Sequence, residues 1–230
     1  MLALLDDFVS LFYPQLCFAC GNSLLRNEEV ICTSCRYRLP KTNFHRQTEN
    51  PLAQIFWGRI QLQSVSAYFY FSKGGKIQHL MHQFKYRGRP EIGVYLGKLY
   101  GSELIQEKRF HEISLIIPVP LHPNKLRKRG YNQSEKFAEG LAQVMQKELD
   151  TTTLIRTYAS ETQTKKARFS RWENVKEIFS ITDHEKILHR HILLVDDVIT
   201  TGATIEACAS QLLQYEGTVV SVASLACTLR

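Results

Sequence analysis

Hydrophobic positions change their period several times along the chain. Ser64 to Phe71 mixes aromatic and β-branched residues and predicts a strand, ended by Gly74-Gly75. Ile77, Leu80, Met81 and Phe84 then recur at i, i+3, i+4 and i+7, the signature of an amphipathic helix; its opposite face shows Lys76, His79, His82 and Lys85. A second helix is expected from about Ile92 to Ile105, with Ile92, Tyr95, Leu96 and Leu99 on one face. Ile113 to Val119 is a continuous apolar run, as in a strand buried on both faces, and a basic loop follows it. Asn132 and Glu135 have capping-box spacing ahead of a helix carrying Phe137, Leu141, Val144 and Met145. Thr152 to Arg156 and Glu177 to Ile181 predict short strands. His191 to Val195 predicts a buried strand, Thr204 to Tyr215 a helix, and Thr218 to Leu225 a last strand. Strands alternating with helices predict an α/β fold, a parallel sheet with helices on both faces.

The first 50 residues do not follow this alternation. Leu2 to Phe12 predicts an apolar helix, a cysteine-bearing module runs to about residue 40, and the polar stretch Pro40 to Pro51 has the composition of a linker. Two domains are therefore expected, residues 1–50 and residues 51–230. No apolar run reaches the roughly 18 residues that cross a bilayer, so no membrane span is expected. Met1 to Ser10 carries Asp6 and Asp7 and lacks the basic start of a signal peptide, which makes the cytoplasm the expected location.

Charge sharpens this outline. The net charge is +7, and three acid-free stretches hold more cations than that surplus: Lys85 to Arg89, Leu121 to Tyr131 (Lys125, Arg127, Lys128, Arg129) and Thr164 to Arg171. Cations clustered in this way suit a polyanion, either nucleic acid or a phosphate-rich small molecule, or they form solvated loops.

Four of the six cysteines, Cys17, Cys20, Cys32 and Cys35, make a C-x2-C-x11-C-x2-C pattern, with Gly21 fitting the turn after the first pair. Two such pairs suit a tetrahedral structural Zn²⁺ with no open coordination position. Disulfides or a redox pair are the alternatives, and a cytosolic chain with two paired motifs favours zinc over both. Cys208 and Cys227 stand alone in apolar surroundings, as buried, inert thiols do.

The densest chemistry is in H-I-L-L-V-D-D-V-I-T-T-G-A-T, residues 191–204. In a parallel sheet, ligands bind beyond the carboxyl ends of the strands, where Asp196 and Asp197 fall. The loop after them opens a helix, whose free N–H groups and partial positive charge suit phosphate. Gly202 allows close backbone approach, and Thr200, Thr201 and Thr204 add hydroxyls. The loop has no lysine, so it is not a P-loop, and no G-x-G-x-x-G supports a dinucleotide site. Carboxylates beside a phosphate seat call for a ligand with both hydroxyls and phosphate, such as a ribose 5-phosphate.

V-D-D-V-I-T-T-G-A-T resembles the phosphoribosyl pyrophosphate signature of type I phosphoribosyltransferases. The four cysteines, F-K-Y-R-G at 84–88, I-P-V-P-L-H-P at 117–123, R-K-R-G-Y-N-Q-S at 127–134, and Gln163 followed by Arg171 and Asn174 extend the resemblance to the ComF (competence protein F) family over almost the whole chain. The resemblance implies a doubly wound parallel sheet of the type I phosphoribosyltransferase kind behind a small four-cysteine zinc module. It implies a ribose 5-phosphate site at Asp196, Asp197, Val198, Ile199, Thr200, Thr201, Gly202, Ala203 and Thr204. Asp197 or Asp196 would act as the base near an acceptor. Pyrophosphate, arriving with Mg²⁺, would lie on Lys125, Arg127, Lys128 and Arg129, joined by Lys85 and Arg87. Thr157 to Asn174, with Gln163, Arg171 and Asn174, would form the family's flexible loop, although Lys166 and Ala167 stand where the family carries an apolar leucine. The family's association with natural transformation implies single-stranded DNA and DNA-uptake proteins as further partners. Three functions remain open: a transferase with an unnamed acceptor, a DNA-binding module, and a ligand sensor without turnover.

Overall fold

The structure is a computed structural model that describes residues 13–156 and 178–229. The expected Leu2–Phe12 helix lies outside these residues, as does the loop bearing Gln163, Arg171 and Asn174. Seven strands are present among the described residues: β1 (Ser64–Tyr70), β2 (Leu115–Pro118), β3 (Glu148–Leu149), β4 (Leu154–Arg156), β5 (Phe179–Ile181), β6 (His191–Ile199) and β7 (Val219–Cys227). The α-helices are α1 (Thr33–Arg38), α2 (Pro51–Gln54), α3 (Lys76–Tyr86), α4 (Glu91–Leu104), α5 (Pro123–Arg129), α6 (Gln133–Met145) and α7 (Ala203–Leu212).

Five strands form one parallel sheet in the order β1-β7-β6-β2-β3. Side-chain alternation divides its apolar residues between two cores. Leu193, Val195, Ala223 and Ile116 join one core with Phe84, Leu96, Phe137 and Leu141 from α3, α4 and α6. Ile192, Leu194, Val222 and Ile117 join the other with Ile205, Ala209 and Leu212 of α7 and Leu52 of α2. The apolar runs seen in the sequence are therefore strands covered on both faces. Each fully buried Leu or Ile contributes roughly 1.5–3 kcal/mol of transfer free energy.

The helices α4 and α6 approach more closely than their apolar residues alone would allow. A Cβ on Gly97 would lie 2.2 Å from the Phe137 carbonyl oxygen, and one on Gly140 would lie 2.1 Å from that of Val94. This contact sets which face of α4 is buried. Ile92, Leu96, Tyr100 and Leu104 face the core along with Gly93, Gly97 and Gly101, while Tyr95 and Leu99, expected there, are only half-buried.

Four further differences from the sequence reading have local causes. The basic loop after β2 is partly helical. Pro123 sits at its first position, His122 Nδ1 accepts from the Asn124 N–H at 3.1 Å, and Gly130, at φ 82°, ends α5. The strands β4 and β5 pair antiparallel with each other, Leu154 opposite Ile181, and not with the main sheet. The stretch expected as a linker is pinned to β1. Thr42 N–H donates to the Tyr68 carbonyl at 3.0 Å, and Tyr70 N–H donates to that of Pro40 at 2.8 Å. Buried Asn50 caps α2 and also donates from Nδ2 to Val65 O at 2.9 Å. Lastly, β6 runs past Val195 to Ile199, so both aspartates belong to the strand itself. There β7 continues beside it, with Asp196 opposite Ser224, while β2 has already ended with Pro118 opposite Val195.

Candidate ligand site at the carboxyl end of the sheet

The pairing of β2 with β6 ends at Pro118 opposite Val195, and Asp196 lies buried one residue further along β6. Its Oδ1 accepts from Ser134 Oγ at 3.0 Å and from the Asp197 N–H at 2.8 Å. Ser134 reaches it from the first turn of α6, which Asn132 fixes twice. Asn132 Oδ1 accepts from the Ser134 N–H at 3.1 Å, and Nδ2 donates to Val119 O at 3.0 Å. Burial, and then the neighbouring Asp197 charge, push the Asp196 carboxyl up to about 7, against the pull of its two donors and of Lys85. Asp197 is less enclosed, and Lys85 Nζ stands 2.8 Å from its Oδ2.

The stretch from Val198 to Thr204 continues into α7 through a small recess of about 30 Å³ lined by Asp196, Val198 to Thr204 and Ile205. Thr200, Thr201, Ala203 and Thr204 are exposed. Gly202 at the N-cap has φ 79° and offers no side-chain cap, and the Ala203 N–H makes only a long 3.5 Å contact to Thr201 Oγ1, so the start of α7 is weakly capped and suits an anion. A side chain there is ruled out by space as well, because a Cβ would lie 2.7 Å from the Phe56 ring. Behind the loop, Arg59 donates to Thr201 O at 3.2 Å and to Ile55 O at 3.1 Å, and pairs with Glu206 on α7.

A cleft of about 470 Å³ lined by Lys85, Tyr86, Gly88, Lys125, Lys128 and Arg129 meets the acids through Lys85. It contains no carboxylate. Arg129 stacks over the exposed Tyr86 ring, 5.5 Å from its centroid, and donates to Gln133 Oε1 at 2.6 Å. The structure thus brings four of the six expected cations together. Arg127 instead donates to Asn124 Oδ1 at 2.7 Å, and neither it nor Arg87 lines the cleft. Lys85 belongs to both the cleft and the acid pair.

The sulfur atoms of Cys17, Cys20, Cys32 and Cys35 all lie within 4.8 Å of one another. A tetrahedral Zn²⁺ with Zn–S bonds of about 2.3 Å requires S···S separations near 3.8 Å. Cys20 and Cys32 stand 3.7 Å apart, so the four thiols fit such an ion. Burial opposes a thiolate on Cys17, but backbone N–H donors from Cys32, Cys20 and Ala19 outweigh it and hold the group down at about 7. Elsewhere, burial pushes the Cys227 thiol up to about 12 and raises Cys208 well above its ordinary value, as expected of inert core cysteines. Among the described residues no helix is long and apolar enough to cross a membrane.

Residues 132–228 match the family described as the phosphoribosyl transferase domain. The DNA utilization protein YhgH of Escherichia coli K12 is 30% identical over 221 residues, covering 93% of this chain and 91% of that protein. Competence protein F of Haemophilus influenzae is 30% identical over 215 residues, covering 90% and 93%. Competence protein ComFC of Bacillus subtilis is 28% identical over 219 residues, covering 87% and 85%. The chain belongs to the ComF family.

Two supports of this ComF-family site were not assigned a role from the sequence. Ser134 is part of the quoted R-K-R-G-Y-N-Q-S stretch, and its position two residues after a helix-capping Asn was the available signal. Arg59 gave no signal, because its partners Thr201 and Glu206 are more than 140 residues away in the sequence.

Proposed function

We propose that this ComF-family chain binds phosphoribosyl pyrophosphate together with Mg²⁺. Asp196 and Asp197 accept from the ribose hydroxyls, and Thr200 to Thr204 with the start of α7 hold the 5-phosphate. Lys125, Lys128 and Arg129 receive the pyrophosphate, with Arg127 at the rim and Lys85 between the two halves. One observation carries the reading: buried Asp196 lines the recess at the start of α7, and Lys85 links its neighbour Asp197 to a cleft lined by cations and no carboxylate. Mg²⁺ would travel with the pyrophosphate and neutralise part of its charge. In transfer, the protein would stabilise charge on the departing pyrophosphate and align an acceptor near Asp197, the less enclosed of the two acids. Gln163, Arg171 and Asn174 belong to the proposed covering loop. The division at residue 50, cytoplasmic location and zinc as the metal of the four cysteines are parts of the same proposal. Calorimetric titration with Mg²⁺ and phosphoribosyl pyrophosphate tests it. Saturable binding that disappears in Asp196→Asn plus Asp197→Asn is expected, and equal affinity in that variant would refute the assignment.

A second reading rests on Tyr86. Its exposed ring lies among Lys125, Lys128 and the stacked Arg129, the combination of π-face and cations that suits single-stranded DNA. The names of the relatives, DNA utilization protein and competence protein, agree with a role in DNA uptake alongside other uptake proteins. DNA affinity should then fall steeply as salt rises, and a flat salt response would remove this reading.

A further inference from the structure

Lys85 has two sets of neighbours that make opposite demands on its charge. Its ammonium stands 2.8 Å from Asp197 Oδ2, and the same side chain lines the cleft with Lys125, Lys128 and Arg129. With the cleft empty of anions, those three cations repel it, and Asp197 is the carboxylate that holds it. Asp196 is the more enclosed acid, and its Oδ1 already accepts from Ser134 and the Asp197 N–H, while the ammonium pairs with Oδ2 of Asp197. The backbone beneath Lys85 is fixed. Phe84 is fully buried, and its carbonyl accepts from the Tyr131 hydroxyl. A change of partner therefore needs only the lysine side chain to swing.

We propose that Lys85 is a specificity gate: it occupies Asp197, a ribose-hydroxyl acceptor, until an anion in the basic cleft draws it away. The gate rests on the phosphoribosyl pyrophosphate reading above and adds selectivity to it. A ribose phosphate lacking pyrophosphate must displace Lys85 from Asp197 and leave the ammonium facing three other cations. A ligand carrying pyrophosphate supplies the replacement partner at the same moment. The site thereby discriminates against ribose 5-phosphate and similar sugar phosphates, although they fit the phosphate loop.

The sign of coupling between two fragments of the ligand tests this without any substitution. Two anions bound side by side should weaken each other by repulsion. The gate reverses that sign, because pyrophosphate removes Lys85 from Asp197 before the sugar arrives. Titration of the full chain with ribose 5-phosphate, alone and in saturating Mg²⁺ and pyrophosphate, is expected to show affinity rising roughly fivefold or more, with the reciprocal gain for pyrophosphate. In Lys85→Gln the gain should vanish, while ribose 5-phosphate alone binds more tightly than to the unsubstituted chain. If each fragment binds alone but neither helps the other, the gate is overturned and the site reading stands. The gate is also overturned if the coupling persists in Lys85→Gln. If neither fragment binds the unsubstituted chain at millimolar concentration, the ligand reading itself fails and takes the gate with it.

Discussion

Ser134 Oγ donates to Asp196 Oδ1 across 3.0 Å, joining the first turn of α6 to the end of β6 over 62 residues of sequence. A hydroxyl donor favours the ionised carboxylate, while burial and the Asp197 charge favour the protonated acid. Ser134→Ala removes one of the stabilising donors. Binding of Mg²⁺ with phosphoribosyl pyrophosphate, followed from pH 6 to 9, is expected to shift its midpoint toward alkaline pH. Ser134→Thr should keep the original profile. A profile unmoved by Ser134→Ala would mean that the hydrogen bond does not govern this carboxylate.

The raised Asp196 carboxyl also affects folding. The folded chain holds this proton up to about pH 7, whereas an unfolded aspartate releases it near pH 4. The folded form therefore binds the extra proton between those limits, and this group's stabilisation is lost as pH rises through them. Asp196→Asn keeps an acceptor for Ser134 and avoids that loss. Its melting temperature at pH 7.5 should exceed that of the unsubstituted chain by a few degrees, about 2–4 °C for each kcal/mol recovered. The difference should shrink by pH 5, and a constant gap across that range would contradict the assignment.

Much of this arrangement was legible in the sequence, for identifiable reasons. Strand and helix periods placed β1, α3, β6 and β7, because the buried positions of α3 recur at helical spacing and those of the strands form short runs rich in β-branched, aliphatic or aromatic residues. The aspartates and the glycine-opened helix were readable because their chemistry lies within nine consecutive residues. The rotation of α4 was not, because glycines carry no hydrophobic signal while their contact with α6 decides which face turns inward. The Lys85–Asp197 pair was also out of reach. Lys85 was expected on the polar face of a helix and beside the pyrophosphate, but 112 residues of sequence separate it from Asp197, and only the folded chain pairs the two.

The helix crossing yields a stability prediction. Gly97→Ala and Gly140→Ala each drive a methyl group into backbone, at 2.2 and 2.1 Å from the nearest carbonyl oxygen. Each should destabilise the chain by about 2–3 kcal/mol in chemical denaturation. Gly101→Ala meets Val144 Cβ at 3.3 Å and the Leu141 carbonyl oxygen at 3.4 Å, more than 1 Å looser than the other two, and should cost far less. Equal effects at all three positions would refute the close backbone packing.

For the four cysteines, metal analysis of freshly purified protein should find about one zinc per chain. Cys17 and Cys35 share an apolar cluster with Ile77, Leu80 and Phe84, so loss of the metal should loosen that core. Cys35→Ser or prolonged chelation is expected to release the zinc and lower the melting temperature. A metal content near zero in the unsubstituted protein would refute the site.

The most direct test of the central claim is to record amide resonances of the isotopically labelled chain during titration with Mg²⁺ and phosphoribosyl pyrophosphate. The account expects the largest shifts at the amides of Thr200 to Thr204, with further changes at Asp197 and along Lys125 to Arg129. Shifts confined to Lys125 to Arg129, with Gly202 and Ala203 unmoved, would show an anion held by the basic cleft alone and would contradict a ribose 5-phosphate seat at the start of α7.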